Sequence, residues 1–341
     1  MSARVLPTVC LLASAETAPS VLFGLFDVLS TAGIAFDEMV CGEPGAPVVD
    51  VRIVAAERAP FRCTGGILVE PAAALDAVTA TDVAIVCDMY VPVTCSPRGR
   101  YPREAEWVRR MHAGGAIVAS VCSGSLMLAD SGLLDGMATA SHWAYEAMFR
   151  EHFPKVTLRR QDVLTICGAG ERIVTAGGVA SWQDLAIYLI ARLCGQRHAI
   201  AASKVHLLST HDEGQLPYAA MPQRIQRSDA VIRDCQLWLA ENYACSNPVS
   251  RMITRARLNP RTFARRFLAA TGYSPMAYVH ALRIEEAKQR LECAEASVED
   301  VGCQVGYEDP AYFRRLFKRE TGLTPAAYRR KFTGILRGTR P

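Results

Sequence analysis

RTFARRFLAATGYSPMAY (261–278) and AYFRRLFKRETGLTPAAY (311–328) are two versions of one segment, and their alignment decides how the last third of this 341-residue chain folds. Phe267 and Phe317, Thr271 and Thr321, Gly272 and Gly322, Pro275 and Pro325, and Tyr278 and Tyr328 recur at one offset of 50 residues. A fixed period of this size marks a duplicated supersecondary unit. Each copy reads as a helix-turn-helix whose second helix carries arginines.

Working outward, the chain from Ser228 reads as seven helices. Asp229–Asn242 is the first, and Asn247 or Ser250 starts the next. Asn259 is a good N-cap with Pro260 at the first helical position, and Asp309-Pro310 repeats that start. Ser274-Pro275 opens a long helix to about Cys293, and Thr324-Pro325 repeats that opening. Ser297 caps the remaining helix, with Glu299 and Asp300 in its first turn.

A recognition helix buries one face on its own domain and turns the other toward the DNA major groove. Phe263 and Phe267 are spaced to face inward in the first copy, which leaves Arg261, Thr262 and Arg265 outside. Phe313 and Phe317 are the matching pair in the second, with Arg314, Arg315 and Lys318 outside. Guanidinium groups suit this work because they grip guanine O6 and N7 together, or a phosphate. A row of arginines on an amphipathic helix is also an ordinary solvated face. Two rows recurring with matching aromatics, glycines and prolines favour DNA.

Charge follows the same division. Residues 1–198 hold 16 Lys and Arg against 20 Asp and Glu, a net −4, whereas residues 199–341 hold 22 against 14, a net +8. A polyanion is therefore expected to meet only the second half. Twelve cysteines are scattered without a C-x-x-C pair or a Cys/His cluster at zinc spacing. That pattern fits reduced thiols, a cytoplasmic location, no metal and no cofactor. No apolar run approaches the roughly 18 residues of a membrane span, and the N-terminal stretch reads as a first strand rather than a signal peptide.

The first half alternates short apolar runs with helical spacings. Val5–Ala13, Val83–Cys87, Ala116–Val121 and Ile173–Thr175 read as buried strands. Ala18–Ala32, Glu104–Ala113, Ser125–Ala129 and Gln183–Leu193 read as helices. This is the pattern of a doubly wound, flavodoxin-like α/β parallel sheet. The division expected is an α/β domain over 1–198, a linker over 199–227 holding at most one short helix, an all-α domain over 228–334 and a tail over 335–341.

Within that half, AIVASVCSGSLMLADSGLLDGMATASHW (116–143) carries the chemistry. Cys122 falls at a strand-turn-helix elbow, the layout that exposes a nucleophile at the sheet's C-terminal edge. A helix N-terminus is expected to stabilise its thiolate and lower its pKa. His142 lies twenty residues on as a possible partner; a plain buried cysteine is the competing reading.

Two resemblances sharpen these readings. Residues 228–332 resemble the AraC-type DNA-binding domain, most closely in VGYEDPAYFRRLFKRETGLTPAAYRRKF (305–332). The resemblance implies that Arg261, Thr262, Ala264 and Arg265 face bases in the first helix, and Pro310, Ala311, Arg314 and Arg315 in the second. It implies that the helix carrying Ile284–Leu291 spaces the two units, and it makes promoter DNA, RNA polymerase and a second copy of the chain the expected partners. Residues 4–196 resemble the PfpI-type branch of the class I glutamine-amidotransferase-like superfamily. Cys122, Gly124, Ser131-Gly132-Leu133-Leu134-Asp135-Gly136, Ser141-His142-Trp143, Thr175-Ala176-Gly177-Gly178 and Asp184-Leu185 carry that likeness.

Enzymes of that branch bring a carboxylate to the cysteine from the start of the first helix. Ser20, Val21 and Leu22 stand there, with Glu16 and Asp27 on either side. The residue after the cysteine is Ser123 rather than histidine, and Asp88-Met89 replaces the usual Gly-Gly. A missing acid removes a proton-transfer step worth on the order of 10² to 10⁴ in rate. The expectation is thus a non-enzymatic sensor. Cys122, Ser123, His142, Asp88, Met89 and Gly178 would line a pocket for a small effector, an amine or amino-acid derivative, in an activator of a catabolic operon. The alternatives are a cysteine-dependent hydrolase or hydratase, a redox-sensing thiol, and an interaction module with a degenerate DNA domain.

Overall fold

The computed structural model describes residues 6–221, 229–293 and 296–337. The strand residue expected at Val5, linker residues 222–227 and the tail beyond 337 lie outside them. The chain forms two compact units, Met1–Gln215 and Leu216–Pro341.

The first unit runs β1 (Thr8–Leu12), α1 (Pro19–Ser30), α2 (Ala35–Cys41), β2 (Asp50–Ala55), a hairpin of β3 (Phe61–Arg62) and β4 (Leu68–Val69), β5 (Ala73–Ala74), β6 (Val83–Val86), α3 (Pro102–Ala113), β7 (Ile117–Val121) and α4 (Gly124–Asp130). It continues through β8 (Ala138–Thr139), α5 (Glu146–His152), β9 (Thr157–Leu158), β10 (Leu164–Cys167), β11 (Ile173–Ala176), α6 (Trp182–Cys194) and α7 (Gln196–His206). Seven strands form one sheet in the order β10-β11-β7-β6-β1-β2-β5. All neighbours are parallel except the β10–β11 pair. Every residue of β6 and β7 is buried. Side chains alternate between faces along a strand, so both faces of the sheet are covered. α1 and α6 pack together on it, as do α3 and α4.

Register brings three strand ends to one edge. Val86 stands opposite Ser120 and Val121 opposite Ala176. The residues that follow, Asp88, Cys122 and Gly177-Gly178, therefore emerge side by side at the C-terminal edge, where open α/β sheets bind ligands.

The stretch from Ala199, expected as a linker with room for one short helix, lies in α7, an eleven-residue helix packed along α6 and α2. Ala199 and Ala202 are buried in the first unit's core, so this segment gains more by packing than by spanning.

The second unit contains α8 (Ala230–Asn242), α9 (Pro248–Ala256), α10 (Pro260–Thr271), α11 (Pro275–Cys293), α12 (Val298–Gln304), α13 (Pro310–Thr321) and α14 (Pro325–Arg337). It has two small cores. Ile232, Leu239, Met252, Phe263, Phe267 and Val279 fill one, and Ile284, Leu291, Val301, Phe313, Phe317 and Tyr328 fill the other. α11 serves both, with Val279 in the first and Ile284, Ala287 and Leu291 in the second. Buried Arg283 donates to the carbonyls of Tyr243, Cys245 and Gly306 and so ties this spacer to the turns beside it.

The repeat is reproduced in hydrogen bonds. Gly272 and Gly322 both cap their helices at φ 77°, a left-handed conformation that favours glycine. The Thr271 hydroxyl donates to Phe267 O and accepts from Tyr273 N; the Thr321 hydroxyl donates to Phe317 O and accepts from Leu323 N. Phe267 meets Tyr278 edge-on at 5.3 Å, and Phe317 meets Tyr328 at 5.4 Å. Among the described residues no single helix is long and apolar enough to cross a membrane.

Candidate effector pocket and nucleic-acid interface

β7 delivers Cys122 to the elbow with φ 53°, a conformation that costs a non-glycine residue on the order of 1–3 kcal/mol. Its N–H donates to Ala176 O at 2.9 Å, and its carbonyl is approached by the hydroxyls of Ser125 and Ser141 at 2.7 and 3.0 Å. A Cβ on Gly124 would stand 2.5 Å from Val86 O, so only glycine lets α4 start this close to β6.

Asp88 leaves the end of β6 and faces the same point. Its Oδ1 accepts from Ser123 N at 3.2 Å and lies 2.6 Å from Ser123 Oγ. Its carboxylate thus stands beside the Cys122 elbow. Asp88, expected in this pocket, is the acid beside the cysteine. The acid comes from a strand end rather than from α1. The flanking candidates are engaged elsewhere, Glu16 with Arg100 and Tyr101 and Asp27 beside His206.

This neighbour acts against thiolate formation. Burial pushes the Cys122 thiol well above its ordinary value, and the charge and hydrogen bond of Asp88 push it further. The Ser123 backbone N–H opposes them without prevailing. The lowered pKa expected from the helix N-terminus is therefore corrected. α4 has only seven residues, and desolvation together with a like charge outweighs its dipole.

His142 is half-buried, and burial draws its pKa down while Asp88 works in the opposite direction. Its Nδ1 accepts from Ala144 N at 3.2 Å, which leaves the proton on Nε2. Among the described residues no hydrogen bond joins His142 to Cys122. Met89 and Ser123 are buried beside Asp88, with Met89 N donating to Ser123 Oγ at 2.8 Å. Gly178 lies near the His142 ring. The six expected pocket residues thus gather at one sheet edge. Two more were not singled out from sequence. Buried Tyr145 donates to Val91 O at 3.1 Å, and Gln215 Nε2 donates to Ser141 O at 2.9 Å.

In the second unit the two arginine-bearing helices start as expected. Asn259 Oδ1 accepts from Thr262 N at 2.9 Å, and Asp309 Oδ1 accepts from Ala311 N at 2.8 Å. Phe263, Phe267, Phe313 and Phe317 are fully buried. Arg261, Ala264 and Arg265 are exposed and Thr262 half-buried; Ala311, Arg314, Arg315 and Lys318 are exposed and Pro310 half-buried. Arg314 forms an ion pair with Glu299 of α12. Arg266, on the flank of α10, pairs with Asp229 at the start of α8. Among the described residues Arg261, Arg265, Arg315 and Lys318 have no ion-pair partner.

Both halves have relatives. The DJ-1/PfpI family pattern matches residues 9–192, and a helix-turn-helix domain pattern matches residues 252–331. The chain is 27% identical over 280 residues to the HTH-type transcriptional regulator CdhR of Pseudomonas aeruginosa, covering 80% of each chain. It is 26% identical over 230 residues to the HTH-type transcriptional regulator GlxA of Rhizobium meliloti, covering 66% of this chain and 68% of that one. Drosophila melanogaster DJ-1beta shares the fold of the first unit, with a TM-score of 0.50, 14% identity, and coverage of 60% of this chain and 100% of that one.

Proposed function

The chain belongs to the DJ-1/PfpI family and carries an AraC-type helix-turn-helix domain, and on that premise we propose that it is a metabolite-responsive activator of transcription. Its second unit binds DNA as a regulator of this type. Arg261, Thr262, Ala264 and Arg265 of α10 and Pro310, Ala311, Arg314, Arg315 and Lys318 of α13 meet two successive major-groove segments on one face of the duplex. The observation that carries this reading is the duplicated helix with a buried phenylalanine pair and an exposed basic row. Regulators that share both domains, CdhR and GlxA among them, support it. A homodimer on a promoter, with RNA polymerase beside it, completes the picture.

The edge around Cys122 is the effector site. Asp88 is buried, and among the described residues no Lys, Arg or His pairs with it. A carboxylate in that position favours a cationic guest, because an unpaired buried charge is costly. An amine or amino-acid derivative is the class that fits, and a catabolic operon for such compounds is the fitting target. The raised Cys122 pKa supports a binding role over nucleophilic catalysis.

The test is binding of the purified protein to a duplex from the region upstream of its own gene, followed by fluorescence anisotropy. Affinity is expected to fall steeply with salt, with log K dropping by about 0.9 per log unit of salt for each phosphate contacted. Salt-independent binding, or none, would sink the DNA reading.

A further inference from the structure

Gln215 is the last residue of the first unit, in a stretch that reads in sequence as a polar linker. It is instead 4% exposed. Its Nε2 donates to two carbonyls, Ser141 O at 2.9 Å and Asp162 O at 2.8 Å. Both hydrogens of that amide are therefore spent, and the amide cannot flip, because its oxygen would then face two oxygens. Oε1 is left buried, with no donor among the described residues.

Gly177 and Gly178 frame this side chain in different ways. A Cβ on Gly177 would lie 2.1 Å from Gln215 Nε2, so the first glycine makes room for the amide. A Cβ on Gly178 would lie 3.6 Å from Gln215 Oε1, 3.9 Å from His142 Cδ2 and 3.9 Å from Ser181 Oγ. These are ordinary contact distances, so the second glycine leaves a gap that a side chain could enter. The gap faces an acceptor whose lone pairs are unused, and a buried acceptor without a donor is costly.

On the effector-pocket reading above, we infer that the Gly178–Gln215 corner is a hydrogen-bond subsite for an O–H or N–H group of the ligand, and that filling it pins the segment leaving the first unit. His211 holds that segment to Asp184 at the start of α6, and Gln215 N donates to Gln161 O at 3.1 Å. Leu216 already belongs to the second unit. A donor on Oε1 therefore acts on the last anchored residue before the DNA-binding unit.

The probe is a hydroxyl built into the chain. Gly178 has φ −66°, open to any residue, so serine and alanine both fit the backbone. Gly178→Ser supplies a donor next to Oε1, whereas Gly178→Ala fills the gap without one. Hydrogen exchange of the amides in 211–215 and the melting temperature are measured in both variants, each with and without Gln215→Met. Gly178→Ser is expected to slow exchange about fivefold and raise the melting temperature, as one net hydrogen bond should. Gly178→Ala should do neither, and Gln215→Met should erase the serine's advantage. Equal behaviour of serine and alanine, or a serine effect that survives Gln215→Met, would overturn the subsite. The readout uses neither DNA nor effector, so its failure leaves the regulator reading intact, and a failure to bind DNA leaves the subsite intact.

Discussion

The carboxylate of Asp88 accepts from Ser123 N at 3.2 Å and so stands beside Cys122, although Asp88 and Cys122 follow different strands of the sheet. The pair inverts the usual meaning of a cysteine at an elbow. A positively charged neighbour would ready the thiol for attack, whereas this one holds its proton in place. Cys122 is expected to react with iodoacetamide at pH 7.5 more slowly than exposed Cys41, Cys95, Cys293 and Cys303. Asp88→Asn should move the labelling profile of Cys122 to lower pH and speed labelling at pH 7.5. Peptide-level mass spectrometry reads both rates, and fast, Asp88-independent labelling of Cys122 would count against the assignment.

The same shift has a consequence for stability. The folded state holds the Cys122 proton more tightly than the unfolded chain, whose thiol ionises near pH 9. The contribution is fully present below that pH and is lost as pH rises above it, because the unfolded state then binds fewer protons. Denaturant midpoints of the wild type should therefore fall more between pH 8.5 and 10 than those of Cys122→Ala. Parallel pH profiles for the two proteins would rule this out.

How far these features were legible depends on whether their cause is local. The caps Asn259, Ser297 and Asp309 and the glycines 272 and 322 act within one turn, so they could be read from spacing, and α10, α12 and α13 follow from them. The elbow at Cys122 is likewise a strand-turn-helix signal. Asp88 and Ser123 are 35 residues apart and meet only because β6 and β7 are neighbours in the sheet. No local pattern encodes that hydrogen bond; only the resemblance places Asp88 and Cys122 in one pocket. Gln215 and the packing of α7 were missed for a related reason. Polar and small residues over 199–215 resemble a linker until Asp184, Gly177 and the faces of α6 and α2 offer them partners.

Each half of the second unit should depend on its own phenylalanine pair. Phe267 and Phe317 are fully buried in two separate cores, bridged by α11 and by Tyr243. Truncating either to alanine removes a ring and leaves a cavity, which costs about 3–5 kcal/mol. Calorimetry of Phe267→Ala and Phe317→Ala should show similar losses in the transition of this unit, with the first unit's transition unmoved. A loss below about 1 kcal/mol at either position would mean that the core has been misassigned.

Arg314 offers a case in which protein and DNA compete for one side chain. In the free protein it pairs with Glu299, and both are about half exposed. The same pairing lowers the Glu299 pKa, chiefly through the hydrogen bond from Arg314. Glu299→Gln removes the competitor and one like charge facing the DNA. Affinity for a duplex should rise, and the salt slope should steepen by about one phosphate contact. An unchanged slope would show that Arg314 stays with α12 in the complex.

Arg265 separates base reading from backbone grip. It is exposed on α10 one turn beyond Arg261 and carries no ion pair among the described residues, so its guanidinium is available to the duplex. Against a site selected from random sequence, Arg265→Ala should cost about 1–3 kcal/mol if it holds a base edge, and specificity should relax at one position. A phosphate contact would instead weaken selected and random duplexes alike and reduce the salt slope by about one. Arg315 of α13 is the matching probe for the second copy, where Pro310 and Ala311 bring no side-chain donors. If the basic residues there grip backbone while the apolar pair meets thymine methyls, Arg315→Ala should give the uniform loss and Arg265→Ala the selective one. The reverse pattern would assign the base-reading role to α13 instead.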